Sequence, residues 1–142
     1  MFKKITIVGL GLMGGSLAAA CRKKFPKARV VGVSRSREAL SVATKKRWVH
    51  EATDDFSEGA HGADLIVLCT PVDIFLPYLV LLNEVCAEGA LVMDVGSVKG
   101  SVLEQANSRR WENFSFVGCH PMVGSHERGI GAVNPSLYDG GL

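Results

Sequence analysis

The sequence predicts an α/β domain in which a doubly wound, mostly parallel sheet lies between two layers of helices. Three observations carry this. Strand-like runs alternate along the chain with stretches of helical composition, and glycine marks many of the turns between them. Several runs are continuously apolar rather than alternating, as in strands covered on both faces. The length of 142 residues, 47% hydrophobic and 21% charged, suits one domain with a proper core.

The elements follow in order. "KKITIVG" (Lys3–Gly9) is a β-branched strand. "GGSLAAACRKK" (Gly14–Lys24) is a helix whose basic last turn complements the negative end of the helix dipole. "ARVVGVS" (Ala28–Ser34) is the second strand; "SREALSVATKKR" (Ser36–Arg47) is a helix capped by Ser36. "ADLIVLCT" (Ala63–Thr70) is the strongest strand. Val72–Gly89 reads as a helix ending at Gly89, with Pro77 kinking it or standing in its first turn. "ALVMDVGS" (Ala90–Ser97) is strand, "SVKGSVLEQANSRR" mostly helix, and "FSFVGCHP" (Phe114–Pro121) strand. After Pro121 the chain is glycine-rich and irregular.

Composition excludes several classes of function. A net charge of +2, with scattered basic residues, argues against nucleic acid or an anionic membrane as partner. Cys21, Cys69, Cys86 and Cys119 stand far apart, without CxxC pairs or histidines at zinc-finger spacing. They read as reduced thiols in a cytosolic protein, with no metal site. Uninterrupted apolar runs fall short of the ~18 residues of a membrane span.

The stretch "VGLGLMGGSLAAAC" (Val8–Cys21) admits two readings. Preceded by "MFKK", it has the charge, apolar centre and small-residue end of an export signal. It also holds Gly9-Leu10-Gly11-Leu12-Met13-Gly14 between a strand and a helix. In that setting Gly9 permits a tight turn, Gly11 lets the backbone approach a pyrophosphate, and Gly14 lets helix and strand pack closely. The phosphates then rest on unpaired amides at the helix's positive end. A second strand ends about 20 residues on, as a dinucleotide-binding fingerprint requires. Export would discard the sheet's first strand and leave the later alternation unexplained. The expectation is therefore a Rossmann-type domain over residues 1–142 that binds NAD or NADP.

The end of the second strand selects the nucleotide. A carboxylate there accepts hydrogen bonds from the ribose hydroxyls of NAD. This chain instead has Ser34, Arg35, Ser36 and Arg37. Serines donate to a 2′-phosphate and a guanidinium pairs with it, so NADP(H) is expected over NAD(H). The opposing reading makes Arg35 and Arg37 solvated residues at a helix start, where cations are slightly unfavourable.

Two further segments fall where strands end, the edge at which this architecture binds ligands. They are "DVGSVKG" (Asp94–Gly100) and "GCHPMVGS" (Gly118–Ser125). Together with "GLGLMGGS", "LCTP" and "SLYDG", they make the chain resemble the prephenate/arogenate dehydrogenase family over nearly its whole length. The resemblance implies oxidation of prephenate or arogenate in tyrosine biosynthesis: hydride passes from the ring carbinol to nicotinamide, the ring carboxylate leaves as CO2, and the ring becomes aromatic. It implies His120 as the catalytic base for the ring hydroxyl and Ser97 as a second contact to that hydroxyl. A base titrating near neutral pH suits the task, and burial beside a cationic nicotinamide would keep the imidazole neutral. Without this context, His120 would read as a strand-end histidine bonded to backbone.

Other assignments are weaker. Lys99 anchors an anionic substrate or is solvated at a helix start. Ser125 and Glu127 match family positions near the substrate and also suit a glycine-rich turn. Cys69, Thr70, Pro71 and Gly96 border the cofactor. Asp94 reads as a structural cap rather than an acid. His50, His61 and His126 show no partner pattern and read as surface residues.

Family members continue past "LYDGG" into a helical domain that pairs two subunits and supplies basic residues to the substrate. Against that pattern, the 142-residue chain is expected to bind NADP+, to turn over little substrate, and to be a monomer or weak dimer, whereas a full-length parent would be a homodimer. Two alternatives remain: another nicotinamide oxidoreductase, such as a β-hydroxyacid dehydrogenase or imine reductase, or a non-catalytic NAD(P)-binding module.

Overall fold

The computed structural model describes residues 1–97, 99–123 and 127–140. Among them, six strands form one sheet in the order β3-β2-β1-β4-β5-β6. The strands are β1 (Lys4–Val8), β2 (Arg29–Val33), β3 (Glu51–Thr53), β4 (Leu65–Leu68), β5 (Ala90–Asp94) and β6 (Phe114–Val117). Every pairing is parallel. The helices are α1 (Leu12–Lys24), α2 (Arg37–Lys45), α3 (Phe56–Ala60), α4 (Phe75–Val85) and α5 (Lys99–Ala106). This is the doubly wound Rossmann arrangement, with the strand order reversing between β1 and β4.

Strand periodicity divides the core into two layers. Ile5, Ile7, Leu65 and Val67 point to the face where α1 and α2 contribute Ala18, Cys21, Ala39 and Ala43. Ile66, Leu68 and Val92 point the other way, against Phe75, Leu79 and Leu82 of α4 and Val102 and Ala106 of α5. Phe75, Leu79 and Leu82 are fully buried, and each contributes about 1.5–3 kcal/mol through the apolar surface it removes from water. Thr6 is a buried polar exception within β1. Its hydroxyl donates to the Gly59 carbonyl at 2.8 Å and fastens α3 to the sheet.

The residues read as an export signal lie elsewhere in the architecture. Lys4–Val8 form a strand flanked on both sides, and α1 follows directly. Its buried positions are mostly small, Gly14, Gly15, Ser16, Ala18 and Ala19, which lets its axis approach the strands closely.

Several boundaries differ from the sequence reading. The strands are shorter at their carboxyl ends, so Cys69, Thr70, Gly96, Ser97 and His120 lie in loops beyond β4, β5 and β6. Val72–Ile74 form a 3₁₀ turn before α4, and Pro77 stands in the first turn of that helix, where its missing N–H costs no helical hydrogen bond. Helix α4 ends at Val85 rather than Gly89, because Cys86 turns to extended backbone. Gly89, at φ 77°, instead makes the turn into β5. Strand β3 and helix α3 have no counterpart in the sequence reading. The strand has three residues, none strongly apolar, at the sheet edge. The helix has five, announced by Asp55, whose carboxylate accepts from the Glu58 amide at 2.9 Å.

The segment after β6 returns over α1. The Asn134 amide donates to Ser16 Oγ at 2.9 Å, the Tyr138 hydroxyl to the Met13 carbonyl at 3.2 Å, and Lys23 pairs with Asp139 at 3.5 Å. On this side of the sheet, Leu91, Met93 and Val95 are only half-buried.

Candidate functional site

The glycine turn joins β1 to α1 at the carboxyl edge of the sheet. Gly9 has φ 93°, a conformation L side chains rarely adopt, and a Cβ there would lie 2.8 Å from the Cys69 carbonyl oxygen. A Cβ on Gly14 would overlap the Gly9 carbonyl, so the helix can begin this close to the strand only with glycine. Gly11 differs: nothing lies within 4 Å of its Cβ position. It is the N-cap of α1 and offers no side chain to its first-turn amides, and the turn holds no acidic residue. Leu12 and Met13 complete that turn. Open space before a bare helix N-terminus fits a pyrophosphate. A second observation agrees. Thr70 Oγ1 is buried without a hydrogen-bond partner among the described residues, next to Gly9.

A cavity of about 350 Å³ opens beside this turn, lined by Gly9, Ser34, Arg35, Ser36, Thr70 and Pro71 among others. Ser34 Oγ accepts from the Ser36 amide, and Ser36 Oγ accepts from the Ala39 amide, each at 3.2 Å. Each hydroxyl hydrogen remains able to donate. Arg35 and Arg37 are exposed; Arg35 lines the cavity and Arg37 does not. Asp54, Phe56 and Tyr78 share its wall, and the last two rings stack at 4.4 Å. Sequence reasoning misses Asp54 and Phe56 because it misses β3 and α3, and Tyr78 because its partner Phe56 is then unplaced. The "TDDFSE" capping pattern is the signal that reveals them.

Two sheet positions along, the loops after β5 and β6 meet at Asp94. Its side chain is fully buried. Oδ2 accepts from the Gly96 amide at 2.8 Å and pairs with Lys99 Nζ at 2.5 Å, while Oδ1 accepts from the Cys119 amide at 3.0 Å. Ser97 is exposed in the first loop and His120 in the second. His120, Cys119 and Asp94 line a second cavity of about 500 Å³ with Met93, Val95 and Tyr138. The imidazole, expected to be buried beside the nicotinamide, is exposed here. Lys99, 26% exposed, pairs its ammonium with Asp94. Ser125 and His126 lie outside the described residues, and Glu127 is exposed.

The sequence pattern of the family described as "Prephenate dehydrogenase, nucleotide-binding domain" matches residues 17–142. The chain belongs to this family. It is 36% identical to a prephenate dehydrogenase of Bacillus subtilis over 95% of its own length and 37% of the relative's. Among solved structures, prephenate dehydrogenase from Aquifex aeolicus, in complex with hydroxyphenyl propionate and NAD+, superposes with a TM-score of 0.85 at 30% identity, over 99% of this chain and 49% of that one. Arogenate dehydrogenase from Synechocystis gives a TM-score of 0.85 at 36% identity, over 97% and 48%. The chain thus spans about half or less of these relatives' length. An imine reductase from Pseudomonas sp., at 21% identity, shares the fold alone.

Other features of this prephenate dehydrogenase nucleotide-binding domain bear on its chemistry. All four cysteines are free thiols. Burial pushes Cys21 up to about 11 and also raises Cys69, Cys86 and Cys119, so these thiols stay protonated near neutral pH. His50, read as a partnerless surface residue, is exposed yet engaged. Its Nδ1 accepts from the Val30 amide at 2.9 Å, and Nε2 faces Arg22. Among the described residues, no helix is long and apolar enough to cross a membrane.

Proposed function

We propose that this chain is the NADP(H)-binding part of a cytoplasmic enzyme that oxidatively decarboxylates prephenate or arogenate in tyrosine biosynthesis. The observation that supports it is the convergence of "GSVKG" and "GCHP" on one buried carboxylate, along the sheet edge that carries the glycine turn. Gly9, Gly11 and Gly14 with the first amides of α1 would hold the pyrophosphate, and Thr70 and Pro71 would border the ribose. The nicotinamide, when bound, supplies a hydride acceptor. His120 would take the proton of the ring hydroxyl, and Ser97 would hold that oxygen in line.

Residues 1–142 form the nucleotide-binding unit in this reading, which would be monomeric or weakly dimeric alone and paired within a full-length protein. The cavity beside His120 contains no lysine or arginine among its lining residues. Prephenate carries two carboxylates, each worth about 1.5–3 kcal/mol when met by a charge-assisted hydrogen bond. The 142-residue chain would therefore bind dinucleotide and turn over little substrate.

NADP is preferred because Ser34, Arg35 and Ser36 rim the cavity after β2. A second reading, NAD, draws on the Asp54 carboxylate in the same cavity and on the NAD+ complex of the Aquifex relative. Titration with both dinucleotides tests the choice. An NADP+ affinity at least tenfold higher, about 1.4 kcal/mol, supports the proposal; equal affinities or a preference for NAD+ refute it. Turnover is tested in a full-length protein carrying this domain: His120→Asn should abolish prephenate and arogenate oxidation while preserving dinucleotide affinity.

A further inference from the structure

We propose that Asp94 is the positioning residue of the site, a single carboxylate that sets the Ser97 loop and the His120 loop in register. The inference rests on the functional reading above and adds to it a residue whose side chain is fully buried beneath the two loops. A carboxylate serving only its own turn would need no more than the Gly96 amide, two residues away. Asp94 does more. Its other oxygen reaches 25 residues along the chain to the Cys119 amide, the residue before His120.

Geometry makes the connection stiff. Asp94 ends β5 and the Cys119 loop follows β6, with Met93 paired to Val117 immediately before. The ladder ends there, so the carboxylate continues the link between the two strands after backbone pairing has stopped. Full burial removes competing water, and Lys99, 26% exposed, supplies the countercharge. Gly118 fits the same arrangement: its Cβ position lies 3.7 Å from both Asp94 Oδ1 and the Lys99 stem. Lys99, which the sequence also offers as a substrate anchor, thus neutralises the carboxylate that aims the catalytic pair.

The test uses the 142-residue chain and two variants. Asp94→Leu with Lys99→Met removes both charges at nearly constant volume, a replacement buried ion pairs often tolerate. Asp94→Asn keeps one acceptor oxygen, which faces the two donors Gly96 N–H and Lys99 Nζ, and turns its NH2 toward the Cys119 amide, losing that bond. Amide hydrogen exchange and the ring cross-peak of His120, assigned through its loss in His120→Asn, are read by NMR with and without NADP+. In the double variant the Cys119 amide should exchange about tenfold or more faster, and the His120 ring signal should broaden, while the Kd for NADP+ stays within about twofold. In Asp94→Asn the Gly96 amide should keep its protection and the Cys119 amide should lose it. Unchanged exchange at both amides and an unchanged His120 signal would overturn the proposal, and unchanged exchange in Asp94→Asn alone would overturn it should the double variant not fold. NADP+ failing to move the wild-type His120 signal would count against the functional reading instead.

Discussion

The Tyr138 hydroxyl donates to the Met13 carbonyl in the first turn of α1, at 3.2 Å and across 125 residues. It ties the end of the chain to the helix whose N-terminus faces the dinucleotide cavity. The half-buried phenol has its pKa raised, chiefly by desolvation, and keeps its proton as donor. Tyr138→Phe should cost about 0.5–1.5 kcal/mol, the net worth of one hydrogen bond. Urea unfolding measures it. Limited proteolysis should also cut after Asn134 sooner in the variant, and equal stability with equal cleavage would show that the bond holds nothing.

The glycines of the first turn separate stability from binding. Gly14→Ala would drive a methyl group into the Gly9 carbonyl, leaving helix or strand to shift. It should lower stability by about 1–3 kcal/mol, the usual cost of overpacking, and lose dinucleotide binding. Gly11→Ala meets nothing within 4 Å and should change stability by less than about 2 kcal/mol, as N-cap exchanges do. Its methyl group nevertheless enters the space proposed for the pyrophosphate, so dinucleotide affinity should fall by about tenfold or more. Thermal melts and cofactor titration read the two effects apart. Full affinity in Gly11→Ala would remove the phosphate from that turn.

His50 predicts a pH dependence. Desolvation, chiefly, and the neighbouring Arg22 hold its pKa below the ordinary 6.5. The unfolded chain therefore takes up a proton at a higher pH than the folded one does. Stability should be constant above the unfolded value, fall as pH drops through 6.5, and level off below the folded value. Urea midpoints at pH 7.5 and pH 5 should differ less in His50→Gln than in wild type. An equal difference in both would assign the acid sensitivity elsewhere.

Much of this fold is legible in the sequence because its decisive elements are long or continuously apolar. Leu65–Leu68 declares itself as a continuously apolar, fully buried strand, Phe75–Val85 by its length and apolar composition, and Ser36 by its capping chemistry. Strand β3 escapes because three residues at a sheet edge carry no periodicity, and with it go the neighbouring Asp54 and Phe56 of the cavity wall. The glycine turn is readable since each glycine answers a local steric demand. The Asp94–Lys99 pair is not: both residues are visible in "DVGSVKG", but their burial depends on β6, about twenty residues later in the chain.

Cofactor selectivity is the sharpest remaining test, since two opposing groups share one cavity. Arg35 would pair with a 2′-phosphate, whereas Asp54 would repel that phosphate and accept from a free 2′-hydroxyl. Arg35→Ala should therefore weaken NADP+ by about tenfold, near 1.4 kcal/mol, and leave NAD+ within about twofold. Asp54→Asn should act in the reverse sense, improving NADP+ and weakening NAD+. Because Arg35 and Asp54 are both exposed, water and salt screen their influence, so the NADP+ effect of each substitution should shrink between low and physiological ionic strength. Equilibrium titration of wild type and the two variants with each dinucleotide, at two salt concentrations, resolves the matter. If Arg35→Ala changes both affinities equally, the arginine acts on the shared diphosphate or the fold, and the preference must originate elsewhere.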